Sequence, residues 1–539
     1  MKFLFLLLLP FFFSCQGSSS KANEKPTDSL PVKSTAPDSI QERELAGNFS
    51  SQTALRFDSK AIPSFLTQYP LFKKYKDDFA RFYSSRQNAY AWHQSDGRPI
   101  EQSSILYNLV FNIDENGLPT DVPYPDVYTK LMEDETSDSM TTRELMITGQ
   151  YLVYARKVLT GIPESGTRAL NWYIPRKKIE YTSLLDSLLS GNTAALDNLI
   201  FPQYVLLRDK LKTFHEIEKK GSWLALKADR KKYQLGDSSK TILQIRQKLF
   251  YAGDIPINNQ SPVFDTTLVN GIKEFQRRYG LQQDGVAGPG VLMEMSAPLS
   301  KRMEQIIVNM ERCRWLGNET GQKYLMINIP QFLLMAHRGN AIEWSCPVVV
   351  GKSTNKTAIF KGDMKYVVFS PYWNVPRSII NKEILPAMRR NKNYLENHDM
   401  EWNDGKIRQK PGPQNSLGLV KFLFPNSFNM YLHDTPSKSL FKEEKRAFSH
   451  GCIRVSEPKK LAVFLLENNP EWTSEKIDEA MNSGKEQYVT LRKTVPVYIV
   501  YFTAFVDDKG KLNFREDIYH RDNQLRDMIF AKNDAKSAQ

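Results

Sequence analysis

MYLHDTP (430–436) and FSHGCIRVSEPKKLAVFLL (448–466) decide how this chain is read. The first belongs to a β pattern, and the second turns helical at Pro458. Together they hold His433, His450 and Cys452, with Ser449 and Gly451 just ahead of the cysteine. Acyl transfer by a thiol needs a thiolate, a base or cation beside it, and donors for an oxyanion. Gly451 permits close backbone approach and unusual dihedrals. Either histidine can lower the thiol pKa by forming an imidazolium–thiolate pair. The competing reading makes His433, His450 and Cys452 zinc ligands, but His-x16-His-x-Cys is not a familiar zinc spacing.

The sequence around the motif is β-rich. From about 322 the apolar period falls to two in KYLMINIP, FLLMAHRG, EWSCPVVVGK and MKYVVFSPYWNVP. It resumes at GLVKFLF (418–424) and NMYLHD (429–434). VTLRKTVPVYIVYFTAFVDDKGKLNF (489–514) adds strands and a hairpin at Asp508-Lys509-Gly510. A polar stretch at about 376–416, with loop and helix character, interrupts the strands. Such an insertion beside a motif predicts a lid over a cleft. Tyr372, Trp373 and Tyr431 are candidate cleft walls, with core packing as the other reading. Cys346 falls in a strand and reads as core, and 516–539 reads as a charged, frayed tail.

Upstream the pattern is helical. Within 46–237, TRELMITGQYLVYARKVLTG (142–161), YTSLLDSLLSG (181–191) and YVLLRDKLKTFHEIEKK (204–220) are amphipathic, with Gly161 as a stop. No catalytic grouping stands among them and His215 reads as an ordinary surface or core residue, so the region is a scaffold. Residues 238–298 predict three helices, the second capped by Asp265 or Thr266. There Phe275, Gln276, Gly280, Leu281, Asp284, Gly285 and Gly288 resemble a peptidoglycan-binding module. Pro289-Gly290 replaces that family's usual Thr before the last helix. The resemblance implies wall binding; a packing module without affinity is the alternative. MEQIIVNMERCRWL (303–316), within 299–321, is a connecting helix in which Cys313 reads as packing.

The N-terminus points to export. Phe3 to Phe13 is an apolar run broken by Pro10, too short for the ~20 residues that cross a bilayer and suited to a signal peptide. Ser14-Cys15 at its end resembles a lipoprotein signal (1–15), which implies a lipidated Cys15. Gln16 is not the Asp that retains lipoproteins at the inner membrane, so the inner face of an outer membrane is the expected address. Residues 16–45, rich in Ser, Pro, Lys and Asp, predict a disordered tether spanning roughly 30 Å on average. Of the four cysteines, three remain if Cys15 carries lipid, and an odd number leaves a free thiol in an oxidising compartment. A net charge of +13 suits a polyanionic neighbourhood, namely nucleic acid, anionic lipid or cell wall, and export removes nucleic acid from that set. At 539 residues the chain is long enough for about three domains.

His433, Ser449, His450, Gly451, Cys452 and Arg454 together resemble the L,D-transpeptidase (YkuD-type) catalytic domain, and PYWNVPRSIINKEILP (371–386) resembles its long Gram-negative members. The resemblance implies a multidomain α+β chain: helical scaffold, small three-helix peptidoglycan-binding-like module, and β-rich catalytic domain at 322–515 with a lid insertion. It further implies Cys452 as nucleophile and His433 as base, oriented through a main-chain carbonyl near Asp434, with backbone N–H groups of Gly451 and Cys452 as oxyanion donors. His450 would shape the loop, and Arg454 would meet a substrate carboxylate or brace the loop. The expected substrates are peptidoglycan stem peptides, joined by 3→3 cross-links with loss of D-Ala. No metal or cofactor is implied, and carbapenem-type inhibitors are expected to acylate the cysteine. Use of water or another acceptor by the same acyl-enzyme, or a non-catalytic wall-binding lipoprotein, are the rival readings.

Overall fold

The computed structural model describes residues 53–531 apart from 54, 135, 137, 190–198, 222, 224, 318–322 and 340. The expected signal, Cys15 and the tether lie outside the described residues. Among these, no helix is long and apolar enough to cross a membrane.

The scaffold is built on the helix Met140–Thr160, which buries Leu145, Leu152, Tyr154, Ala155 and Leu159 as its periodicity predicts. It also buries Arg143, Glu144 and Gln150. Glu144 is satisfied by the main-chain N–H groups of Ala91 and Trp92, by Tyr83 and by His93, so a buried charge is matched on every side. The helix stops at Gly161, where φ is +65°.

The helix Leu299–Trp315 is more than the connection expected from sequence. Glu311 is fully buried, pairs with Arg314 at 2.8 Å and accepts from Ile162 N of the scaffold at 2.7 Å. Arg314 donates onward to Val158 O and Asn116 O, also in the scaffold. On the other side, Asn309 and Arg312 reach Thr503 and Asp522. The expected frayed tail is likewise corrected: Asp522–Phe530 is a helix burying Leu525 and Ile529, and its Asp522 pairs inward with Arg312, which a polar sequence does not reveal. The described residues fall in one compact unit.

Between scaffold and catalytic region lie the helices Lys240–Tyr251, Thr266–Tyr279 and Pro289–Ser296. Asp265 caps the second by accepting from Leu268 N at 2.9 Å. The Phe-Gln…Asp-Gly pattern has a structural cause: the Gln276 amide donates to Asp284 and accepts from Gly285 N at 2.9 Å, closing the turn. The last helix starts at Pro289 without a side-chain cap, as Pro at the first turn allows.

The catalytic region is a sheet of β1 (Lys323–Asn328), β2 (Leu333–Arg338), β3 (Ala341–Gly351), β4 (Lys361–Phe369), β8 (Val420–Leu423), β9 (Tyr431–His433), β10 (Ala447–Ser449), β11 (Ile453–Val455) and β12 (Gln487–Val500). The order is β10-β3-β11-β9-β8-β4-β12-β1-β2, and β2 also pairs with β3, which closes the sheet into a barrel. β5 (Trp373–Asn374), β6 (Met400–Asn403) and β7 (Lys406–Gln409) form a separate small sheet, and the expected hairpin is β13 (Ala504–Val506) with β14 (Leu512–Phe514). The insertion has its own core of Val375, Ile380, Ile384 and Ile407, so it is a small body in itself. Its sheet begins at Trp373, slightly ahead of the expected 376, because Trp373 pairs with Gln409.

Candidate active site

β9 and β11 run parallel with Leu432 opposite Ile453 and His433 opposite Arg454. Side chains alternate along strands, so Leu432 and Ile453 point into the core, where both are fully buried. Extending the register by one residue sets Cys452 beside Tyr431. Tyr431, His433, Cys452 and Arg454 therefore share the opposite face.

His433 is 5% exposed, and its Nδ1 lies 2.5 Å from the Asp434 carbonyl oxygen. That carbonyl can only accept, so Nδ1 carries the proton and Nε2 keeps its lone pair. Burial, aided by the neighbouring Arg454 charge, holds the imidazole down at about 3. Burial pushes the Cys452 thiol above its usual range, although the Tyr431 main-chain N–H and hydroxyl donate toward the sulfur and oppose the rise. The sulfur also lies 4.0 Å from Asn429 O. Burial thus opposes charge on the thiol and on the imidazole alike, and so works against the imidazolium–thiolate pair expected from sequence.

The loop bearing the cysteine is pinned from several sides. Gly451 adopts φ +124°, and its N–H donates to Ser449 Oγ at 3.1 Å, so in this resting arrangement that amide is engaged. Ser449 Oγ in turn donates to Cys452 O at 2.6 Å. Thr357 Oγ1 donates to Gly451 O at 2.9 Å while accepting from Gly351 N. The motif alone pointed to neither Thr357 nor Asn429. Asn429 adopts φ +53° in the loop ahead of β9.

The insertion reaches the site in two places. Trp373 comes close enough to Tyr431 to offset part of the rise that burial imposes on its phenol. His450, half exposed, sets Nε2 3.0 Å from Glu383 Oε1 and so faces the insertion. Tyr372 is not brought to the cluster: its ring lies under Arg408 and its N–H is held by Glu486. Arg454 Nε is buried without a hydrogen-bond partner among the described residues. Cys313 and Cys346 are buried and held by burial in the thiol form. No group of three or more His, Cys, Asp or Glu among the described residues is placed to hold a metal ion.

Three stretches of the chain match known families. Residues 322–496 match the L,D-transpeptidase catalytic domain, 77–211 the scaffold domain, and 238–295 a candidate peptidoglycan-binding domain. A candidate L,D-transpeptidase of Haemophilus influenzae is 30% identical over 257 residues, covering 43% of this chain and 52% of that protein. The chain therefore spans about half the length of this curated relative. Among solved structures, an L,D-transpeptidase from Xylanimonas cellulosilytica aligns at 14% identity and TM-score 0.18, over 51% of this chain and 100% of that one. Another, from Stackebrandtia nassauensis, gives 12% identity and TM-score 0.22 over 51% and 97%. Scores this low carry no weight, and the assignment rests on the sequence matches. With the Cys452 face inside it, residues 322–496 form an L,D-transpeptidase catalytic domain, with a scaffold domain and a candidate peptidoglycan-binding domain matched ahead of it.

Proposed function

We infer that the chain cross-links peptidoglycan stem peptides through a thioester on Cys452. The observation that carries this reading is the shared face of Tyr431, His433, Cys452 and Arg454 on two parallel strands. His433 Nε2 takes the thiol proton as the sulfur attacks the carbonyl of the third residue of a tetrapeptide stem. The C–N bond to D-Ala breaks, and the same proton leaves on its amine. An amine of a second stem then attacks the thioester, loses its proton to His433, and restores the thiol as a 3→3 link forms. The Cys452 N–H and the Tyr431 hydroxyl are the donors proposed for the oxyanion, since the Gly451 amide donates to Ser449. Arg454 Nε, buried without a hydrogen-bond partner among the described residues, supports the carboxylate-binding role over the loop brace.

The proposed setting is the cell envelope, with Cys15 lipidated and the 16–45 tether spanning to the wall, and with carbapenems as acylating inhibitors. Purified protein given disaccharide-tetrapeptide tests the reaction by mass spectrometry. The expected product is a dimer lacking one D-Ala, absent with Cys452→Ala. Tripeptide alone would make the enzyme an L,D-carboxypeptidase, and no Cys452-dependent product would favour a wall-binding lipoprotein.

A further inference from the structure

The geometry points to Asp434 as a positioning residue that ties the root of the lid to the catalytic base. This rests on the reading of Cys452 and His433 given above and adds a connection that the motif does not contain.

Asp434 is buried and held at each of its polar groups. Its carbonyl receives His433 Nδ1–H and so fixes which imidazole nitrogen is free. Its N–H donates to Val420 O at 2.9 Å. Of its carboxylate oxygens, Oδ2 accepts from Leu419 N at 2.9 Å and Oδ1 pairs with Lys438. The segment 419–420 thus grips Asp434 on both its amide and its side chain, and this segment is where the chain leaves the lid. Next to it, Gly418 sits at φ +62°, and a Cβ there would lie 2.3 Å from Asp434 Oδ2 and 2.4 Å from its Cγ. Only a glycine lets the lid root pass against this carboxylate.

The lid is equipped to move as one piece. It has its own apolar core, and Asn415 Nδ2 ties its two ends together by donating to Pro371 O at 3.0 Å and Lys410 O at 2.8 Å. Ser370 N donates to Leu419 O at 2.9 Å, so both ends meet beside Asp434. A rotation of this body about its root shifts Leu419, and with it the Asp434 peptide that orients His433. Lid position and base orientation are one degree of freedom.

The test uses the full chain and needs no substrate. Carboxamidomethylation of Cys452 by iodoacetamide is followed at the Cys452 peptide from roughly pH 5 to 10, across the thiol's titration range. Wild type is compared with Asp434→Ala, Asp434→Asn, Gly418→Ala and, as reference, His433→Ala. Asp434→Asn keeps an oxygen for Leu419 N–H and is expected to stay within about twofold of wild type, the order of a retained neutral hydrogen bond. Asp434→Ala and Gly418→Ala are expected to lose about tenfold at neutral pH and to take on the His433→Ala profile, a modest fraction of what a general base supplies. Melting temperatures are recorded for all, and the contrast between Asn and Ala at 434 separates coupling from loss of fold. Wild-type rates and profiles in both Asp434→Ala and Gly418→Ala, beside a slow His433→Ala, would overturn the coupling. A His433→Ala rate equal to wild type would remove the base and the coupling with it. D-Ala release by the wild type is measured in parallel, so its absence counts against the proposed reaction while the alkylation comparison still supports or sinks the coupling.

Discussion

At Cys452 the balance is between charge attraction and dehydration. An ion pair would keep the thiolate reactive well below neutral pH. Here burial dominates at both partners, raising the thiol and holding His433 at about 3. The thiolate is the reactive species, so alkylation of Cys452 is expected to climb through the alkaline range. A reactive plateau near pH 6 would show that the ion pair forms after all. The two motif histidines separate by the same logic. His433 is buried on the face it shares with Cys452, whereas His450 faces Glu383 on the insertion, and only three-dimensional register distinguishes them.

Among the strands, β2 carries a polar cost with no visible return. His337 is 8% exposed, both ring nitrogens lack partners among the described residues, and its ring stacks on Tyr324 with centroids 4.3 Å apart. Burial alone holds it at about 4. Below its ordinary value near 6.5 the unfolded chain takes up a proton that the folded chain refuses, so this group makes stability fall as pH drops from 6.5 toward 4. His337→Phe keeps the stacked ring and removes two unsatisfied nitrogens. It is expected to raise neutral-pH stability by about 1 kcal/mol and to flatten the acid slope in urea titrations. An unchanged slope would mean that His337 is solvated or paired in solution. Elements of this kind were legible where the sequence has a period: β1 to β4, the helix stopping at Gly161 and the Asp265 cap follow from alternation, amphipathic spacing and local capping. The helix Asp522–Phe530 was not legible, because Leu525 and Ile529 are few and its buried Asp522 finds its partner, Arg312, far away in sequence. The site divides likewise. Cys452 and His433 stand out by motif, whereas Thr357, Asn429 and the Asp434 carboxylate act through contacts that only the closed barrel creates.

Across the whole molecule, scaffold and catalytic barrel are joined through the helix Leu299–Trp315. Arg314 and Glu311 are both fully buried, with Arg314 donating to Val158 O and Asn116 O and Glu311 accepting from Ile162 N and Trp315 Nε1. The scaffold approaches so closely that a Cβ at Gly161 would lie 1.9 Å from Glu311 Oε1. Removing one partner of a buried pair leaves the other charge without compensation, at a cost of about 3–5 kcal/mol. Glu311→Ala should therefore destabilise the chain by that order in urea unfolding, although residue 311 belongs to none of the three matched regions. Because the helix also grips Thr503 and Asp522 through Asn309 and Arg312, the loss should reach the barrel. Cys452 alkylation and scaffold fluorescence are then expected to report the same shifted midpoint. Two separated midpoints, with the Cys452 signal unmoved, would mean that the barrel stands without the scaffold and that the buried pair fastens only one side.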